Sequence, residues 1–261
     1  MAMKHVHIVL AHPEPKSFNA HLAKLAATTL EKRGWDVSIT DLYSQGFDPC
    51  ERASHYKDRL NEERFDVQTE QRHASADGNV PLDVRAEIDF LQKTDLLILQ
   101  YPMWWHLPPA ILKGWMDRVF IYGDVYKSTQ RFEKGRFVGS KAMISVTVGT
   151  SPETYGHDGR SGDIDLMLWP INFSLAYVGF DVLKPYVGYG VEAGLRYSDP
   201  QEIEDRLQKI QSDYVERLST IEEEAAIPFN QMEDWGDNGR IKPDAPVYSP
   251  FIRHREKLEI E

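Results

Sequence analysis

Cysteine is nearly absent: Cys50 is the only one in 261 residues. An intramolecular disulfide and a cysteine-based metal centre are therefore excluded. Positive charge is also short, with 30 lysines and arginines against 41 aspartates and glutamates and a formal net charge of −11. Such a balance argues against nucleic acid or an anionic membrane surface as partner. No apolar run approaches the roughly 20 residues that span a bilayer. The opening residues run directly into a strand-like segment without a signal-peptide layout, so a cytoplasmic location is expected. No G-x-G-x-x-G segment occurs, so a Rossmann-type dinucleotide site is not indicated. What is present is ordinary globular composition, 41% hydrophobic and 27% charged, which excludes general disorder.

Apolar runs and helical spacings alternate along the chain. Residues 5–11, 35–40, 95–100 and 141–148 have the pattern of strands, and a fifth strand begins at 179–183. Between them, residues 18–33, 81–93, 110–120, 163–178 and 199–218 carry helical spacing, with Pro170 expected to force a break or a late start in the fourth of these. Residues 50–80 are polar and look like an irregular excursion outside the sheet. The expected fold class is α/β: a doubly wound, five-stranded parallel sheet with helices on both faces. Residues 1–225 would form the domain, and 226–261 a C-terminal extension packed on it or on a partner subunit.

Ligands in such sheets bind at the carboxyl ends of strands, which directs attention to three turns. The first carries His12, Ser17, Phe18 and Asn19 where a helix begins, a place suited to phosphate, although a plain helix cap explains Ser17 equally well. The second is Gln100-Tyr101-Pro102-Met103-Trp104-Trp105-His106-Leu107-Pro108-Pro109, a proline-stiffened aromatic shelf. It suits a flat ring with polar edges, such as a flavin, or alternatively a core or subunit contact. The third, Thr147-Val148-Gly149-Thr150, is built of small residues that let backbone amides approach a ligand. Beyond it Tyr155 offers a phenol hydroxyl and His157 a proton exchangeable near neutral pH. Taken together, the turns point to a bound flavin.

On Ala11-His12-Pro13-Glu14, Ser17-Phe18-Asn19, Pro109-Ala110-Ile111-Leu112-Lys113-Gly114-Trp115, Arg118-Val119-Phe120 and Leu168-Trp169-Pro170-Ile171, the chain resembles the FAD-dependent NAD(P)H:quinone oxidoreductases (DT-diaphorases) of the flavodoxin-like fold. The similarity covers roughly residues 5–220. The resemblance implies FAD held at its phosphates by His12, Ser17, Phe18 and Asn19. Its ring would lie on Pro102, Met103, Trp104 and Trp105, with Thr147, Val148, Gly149 and Thr150 at its edge and Tyr155 nearby. It further implies a homodimer with active sites at the interface, and ping-pong hydride transfer from NAD(P)H through the flavin to small quinones. The substrate pocket would include Trp105, His106, Tyr126, Ser128 and Ser161.

Some positions depart from the family pattern. Ser161 stands where a catalytic histidine is expected, so His157 and His106 become candidate proton donors beside Tyr155. Ser128 replaces a tyrosine and Arg131 an apolar residue, making the mouth more polar. Arg131 and Arg160 are candidates, by charge alone, for reading the NADPH phosphate. Competing expectations are an FMN-dependent azo- or nitroreductase of the same fold, with FMN less favoured than FAD, and a regulatory subunit of a potassium-efflux system.

Overall fold

Alternation along the first strand divides the protein into two layers, because successive side chains point to opposite faces of a sheet. In β1 (His5–Leu10), Val6, Ile8 and Leu10 pack into one apolar cluster and Val9 into the other. The computed structural model describes residues 3–192 and 199–255. The parallel strands β2 (Asp36–Asp41), β1, β3 (Leu96–Pro102), β4 (Lys141–Thr147) and β5 (Asp181–Val182) lie side by side in that order. Helices α1 (Phe18–Lys32) and α6 (Pro200–Thr220) cover the Val6 face. Helices α3 (Leu82–Leu91), α4 (Ala110–Val119) and α5 (Ile164–Tyr177) cover the Val9 face. The order reverses between β1 and β3, so the crevice that receives a ligand opens at their carboxyl ends.

Three features differ from the sequence-based expectation. The fifth strand is split: β5 pairs with Lys141 and Ala142, and a further strand β6 (Tyr186–Gly188) pairs with Ser145, Val146 and Thr147. Pro185 lies between them, and proline cannot donate to a ladder. The excursion contains a helix, α2 (Val67–Asp77), capped by the Asp66 carboxylate on the Thr69 N–H. Its buried positions include Glu70 and Gln71, so no apolar stripe announces it. Buried Glu70 accepts the N–H groups of Leu60 and Asn61, while the Gln71 amide donates to Glu51 and to the Asp117 carbonyl. Finally, α5 runs through Pro170 without a break. Proline's fixed φ is itself helical, and what it removes is one amide donor.

The C-terminal extension lies along α5 and the β5 edge of the same chain. The Ile227 N–H donates to the Val182 carbonyl at 2.8 Å, and the Met232 N–H to Glu133 at 3.0 Å. Phe251 stacks on Trp169 with 4.6 Å between ring centroids. The last six residues of the expected extension lie outside the described residues.

Buried polar bonds hold α4 against the sheet. The Trp115 indole N–H and the Thr40 hydroxyl donate to the two oxygens of buried Glu87, at 2.8 and 2.7 Å. Buried Arg118 pairs with Asp83 and donates to the Asp48 carbonyl. Just before Trp115, Gly114 touches the 47–49 loop so closely that a Cβ would stand 2.2 Å from the Pro49 carbonyl oxygen and 2.4 Å from its Cβ. Gly114→Ala is expected to destabilise the fold by about 1–3 kcal/mol, because overpacking outweighs the gain in helix propensity. Urea denaturation measures this, and an unchanged or raised midpoint would contradict the packing described.

Candidate active site

The first turn ends in a helix whose leading amides are unspent. The Ser17 hydroxyl oxygen accepts the Ala20 N–H at 3.1 Å, and the Ser17 carbonyl accepts from His21. The backbone N–H groups of Phe18 and Asn19, at the first two helical positions, have no acceptor within the helix. They carry the positive end of the helix dipole, which suits an anion. His12 precedes them in the same turn, its Nδ1 accepting the Glu14 N–H at 3.0 Å. In the neutral ring the proton therefore sits on Nε2, a donor. Burial pulls the His12 pKa below its ordinary 6.5, against the Glu14 and Asp41 carboxylates that pull it upward.

The second turn departs from β3 as a tight reversal. Trp104 and Leu107 exchange backbone hydrogen bonds at 2.9 and 3.1 Å. Between them, Trp105 and His106 both take positive φ, 52° and 64°. Two successive left-handed residues mark the primed turn type normally filled by glycine or asparagine. Side chains this large are strained there, and such strain collects at functional sites. The consequence is exposure: Trp105 is 92% exposed at the apex and Trp104 41%. Behind them Pro102 is buried and Met103 half-buried, and the Trp104 ring lies edge-on to His12 with 6.1 Å between centroids.

The third turn is tied to the second, since the Met103 N–H donates to the Thr147 carbonyl at 2.9 Å. Val148 exchanges backbone bonds with Gly188 and Val191, which leaves the Gly149 N–H turned away from the ladder. Tyr155 follows on a short 3-10 turn, half-buried and 6.0 Å from the Tyr189 ring. Ser161 is brought back to this loop by its N–H on the Thr154 carbonyl. Gly159 makes that return possible, because a Cβ there would stand 2.5 Å from the Thr154 carbonyl. His157 and Arg160 are exposed on the same loop.

The part of Asn19 differs from the expected phosphate contact. Its side chain is 3% exposed and lies beneath the turns. Nδ2 donates to the Thr147 hydroxyl and Oδ1 accepts from the Gln100 amide, each at 2.8 Å. One amide thus joins α1, β3 and β4 at the edge where the three turns emerge. Sequence inspection could not assign this part, since its partners are 81 and 128 residues away.

Tyr126, Ser128 and Arg131 do not join this cluster. Helix α4, ten residues and so about 15 Å long, carries the chain away from the shelf toward the opposite edge of the sheet. There Tyr126 meets Tyr122, Tyr177 and the Gln68 amide, and the Arg131 guanidinium covers the Tyr177 ring. A groove of about 840 Å³ does adjoin the first turn. It runs from Lys16, Ser17, Phe18 and His21 along the first half of α6, past Ile203 and Leu207. Among the described residues no cluster of histidines, cysteines and carboxylates could hold a metal ion, and no helix is long and apolar enough to cross a membrane.

A parallel sheet in this order, with anion-ready and ring-ready turns at its switch point, defines a flavodoxin-like α/β protein. Residues 4–214 match the family model described as Flavodoxin-like fold. NAD(P)H dehydrogenase (quinone) 1 of Rattus norvegicus is 35% identical over 88% of this chain and 81% of its own length. Ribosyldihydronicotinamide dehydrogenase (quinone) of Homo sapiens is 34% identical over 87% and 96%. A crystal structure of a candidate quinone reductase from Klebsiella pneumoniae superposes with a TM-score of 0.82 at 33% identity, covering 95% of this chain and 97% of that one. The chain therefore belongs to the NAD(P)H:quinone oxidoreductase family, enzymes of the flavodoxin-like fold.

His12 yields a direct check on the first turn. Its folded pKa lies below the unfolded value, so the unfolded chain holds the proton more tightly. Its contribution to stability is full above pH 6.5 and is lost as the pH falls through the folded value. An NMR titration of the ring is expected to show a midpoint below 6.5 and a neutral form protonated at Nε2. A midpoint above 6.5 would contradict the geometry.

Proposed function

We propose that this enzyme reduces small quinones with NAD(P)H through a resident flavin, and that the flavin is FAD. The observation that carries this is the convergence of an anion-ready helix end, an exposed ring shelf and an unpaired glycine amide at one switch point, joined by Asn19. The residues present fit the group. The Phe18 and Asn19 N–H groups, the Ser17 hydroxyl and the His12 Nε2–H would hold its phosphates. Backbone from Pro102, Met103, Trp104 and Trp105 would support the ring, and Gly149 and Thr150 amides would meet its polar edge. The groove between Phe18 and α6 offers room beyond the phosphates that FMN does not need, which favours FAD. Bound there, a flavin supplies two-electron relay between NAD(P)H and quinone in alternating half-reactions.

The protein's own part is positioning and proton supply. Tyr155 carries a hydroxyl donor at the third turn, and Ser161 brings no group that titrates near neutrality. Exposed His106 is held beside Trp105 by the left-handed turn, so it is the better placed proton donor to the quinone oxygen, ahead of His157. The separation of Tyr126 and Ser128 from the shelf means that a pocket containing all of them requires a second copy of the chain. A homodimer with sites at the interface meets that requirement.

Extraction of the cofactor and mass measurement should return FAD. Stopped-flow mixing should show bleaching by NADPH or NADH and reoxidation by a benzoquinone. His106→Ala should slow reoxidation by about tenfold or more and leave bleaching unchanged. A colourless protein that takes up no flavin would overturn the proposal; His157→Ala reproducing the defect in place of His106→Ala would reassign the donor.

A further inference from the structure

The hydroxyl of Tyr155 is unspent, so its ring must be held by other means. Among the described residues no group shares a hydrogen bond with that hydroxyl. The backbone beneath it is fixed. The Thr154 hydroxyl donates to the Ser151 carbonyl at 2.9 Å and accepts from the Thr150 hydroxyl at 2.6 Å, while the Thr154 carbonyl accepts the Ser161 N–H at 2.9 Å. A fixed backbone still leaves a side chain its staggered χ1 wells. What selects among them is packing, and the ring that meets Tyr155 is Tyr189, tilted by 52° with 6.0 Å between centroids. Aromatic pairs favour tilted or offset arrangements at such separations. Both rings are half-buried against the Val9-side core.

Tyr189 is seated by the segment that closes the sheet. It follows β6, where the Val148 N–H donates to the Gly188 carbonyl and the Val191 N–H to the Val148 carbonyl, each at 2.9 Å. Gly190 is gripped from both sides. Its N–H donates to the Thr150 carbonyl at 2.9 Å, and its carbonyl accepts from Arg206 of α6 at 3.0 Å. With φ at 70° and a Cβ that would stand 2.7 Å from the Arg206 Cδ, that position requires glycine. Burial first, and after it the Asp165 carboxylate, lift the Tyr189 phenol above its ordinary value of 10, so the ring brings no charge to its neighbour. We propose that Tyr189 is a positioning residue for the redox reaction. Its ring holds Tyr155 in one rotamer at the third turn, with the Tyr155 hydroxyl free to donate to negative charge on a bound ring. The ligand in this inference rests on the flavin reading above; the ring contact does not.

Two measurements on the full chain test the contact and its consequence separately. Three-bond couplings across χ1 of Tyr155, in protein carrying ¹³C- and ¹⁵N-labelled tyrosine, should report a single rotamer. Tyr189→Leu should average them over several wells, and Tyr189→Phe, which keeps the ring, should preserve the single rotamer. The second measurement is the reduction potential of the bound flavin. Tyr189→Leu should weaken binding of the reduced relative to the oxidised flavin by about tenfold, a fall of about 30 mV for a two-electron couple. Tyr155→Phe should lower the potential by the same amount, and the double variant should fall no further. Tyr189→Phe should return the native potential. A merely structural role would weaken both redox forms alike and leave the potential in place. An unchanged Tyr155 rotamer or potential in Tyr189→Leu, additive effects with Tyr155→Phe, or a Tyr189→Phe variant as impaired as Tyr189→Leu would each overturn the proposal. A chain that takes up no flavin would overturn the flavin reading and with it the donation, while the χ1 couplings would still decide the packing.

Discussion

A single buried amide sets the geometry on which the rest of the site depends. Asn19 is gripped at both ends, by Thr147 from β4 and by Gln100 from β3, while its own backbone begins α1. The leading amides of the first turn therefore cannot move independently of the aromatic shelf and the third turn. Loss of this side chain leaves two buried polar groups without partners, each costing about 1–3 kcal/mol. That penalty exceeds what a surface contact contributes, and it falls at the edge of the sheet where the three turns emerge. Preorganisation of this kind lets a ligand bind without reordering the turns.

The opposite face of the sheet supplies the complementary restraint. Glu87 accepts from Trp115 and Thr40, and His7 stands 3.4 Å from the same carboxylate while stacking on Phe90. Together with Arg118 on Asp83, these bonds fix α4, which begins immediately after the aromatic shelf. The left-handed pair Trp105 and His106 is thus held from both directions, by β3 before it and α4 after it. A strained turn persists only where its surroundings over-determine it. These two polar networks flank this turn from opposite layers, one through Gln100 and the other through Trp115.

Much of this was legible in the sequence. The strands of the central sheet are apolar runs of the kind a doubly covered parallel sheet requires, and the three turns follow directly at their ends. What escaped was governed by polar contacts. Helix α2 buries Glu70 and Gln71 in place of an apolar stripe, so its periodicity is silent. Pro185 splits the last strand position by a backbone effect that short-range pattern does not weigh against pairing with β4. Asn19 looks like a phosphate donor because its bonding partners are remote in the chain. Tyr126 and Ser128 share the shelf's expected pocket by resemblance, yet α4 carries them to the far edge within one chain.

The central claim is that Asn19 acts through its side chain as a cross-link, and Asn19→Ala tests it because the backbone N–H remains in place. The decisive measurement is a double-mutant cycle of Asn19→Ala and Thr147→Val, read by urea denaturation and by flavin retention on the same samples. The account predicts a loss of about 2–4 kcal/mol for Asn19→Ala, at least about tenfold weaker flavin retention, and clear non-additivity with Thr147→Val. Unchanged stability and retention in Asn19→Ala, or strictly additive effects of the two substitutions, would contradict it.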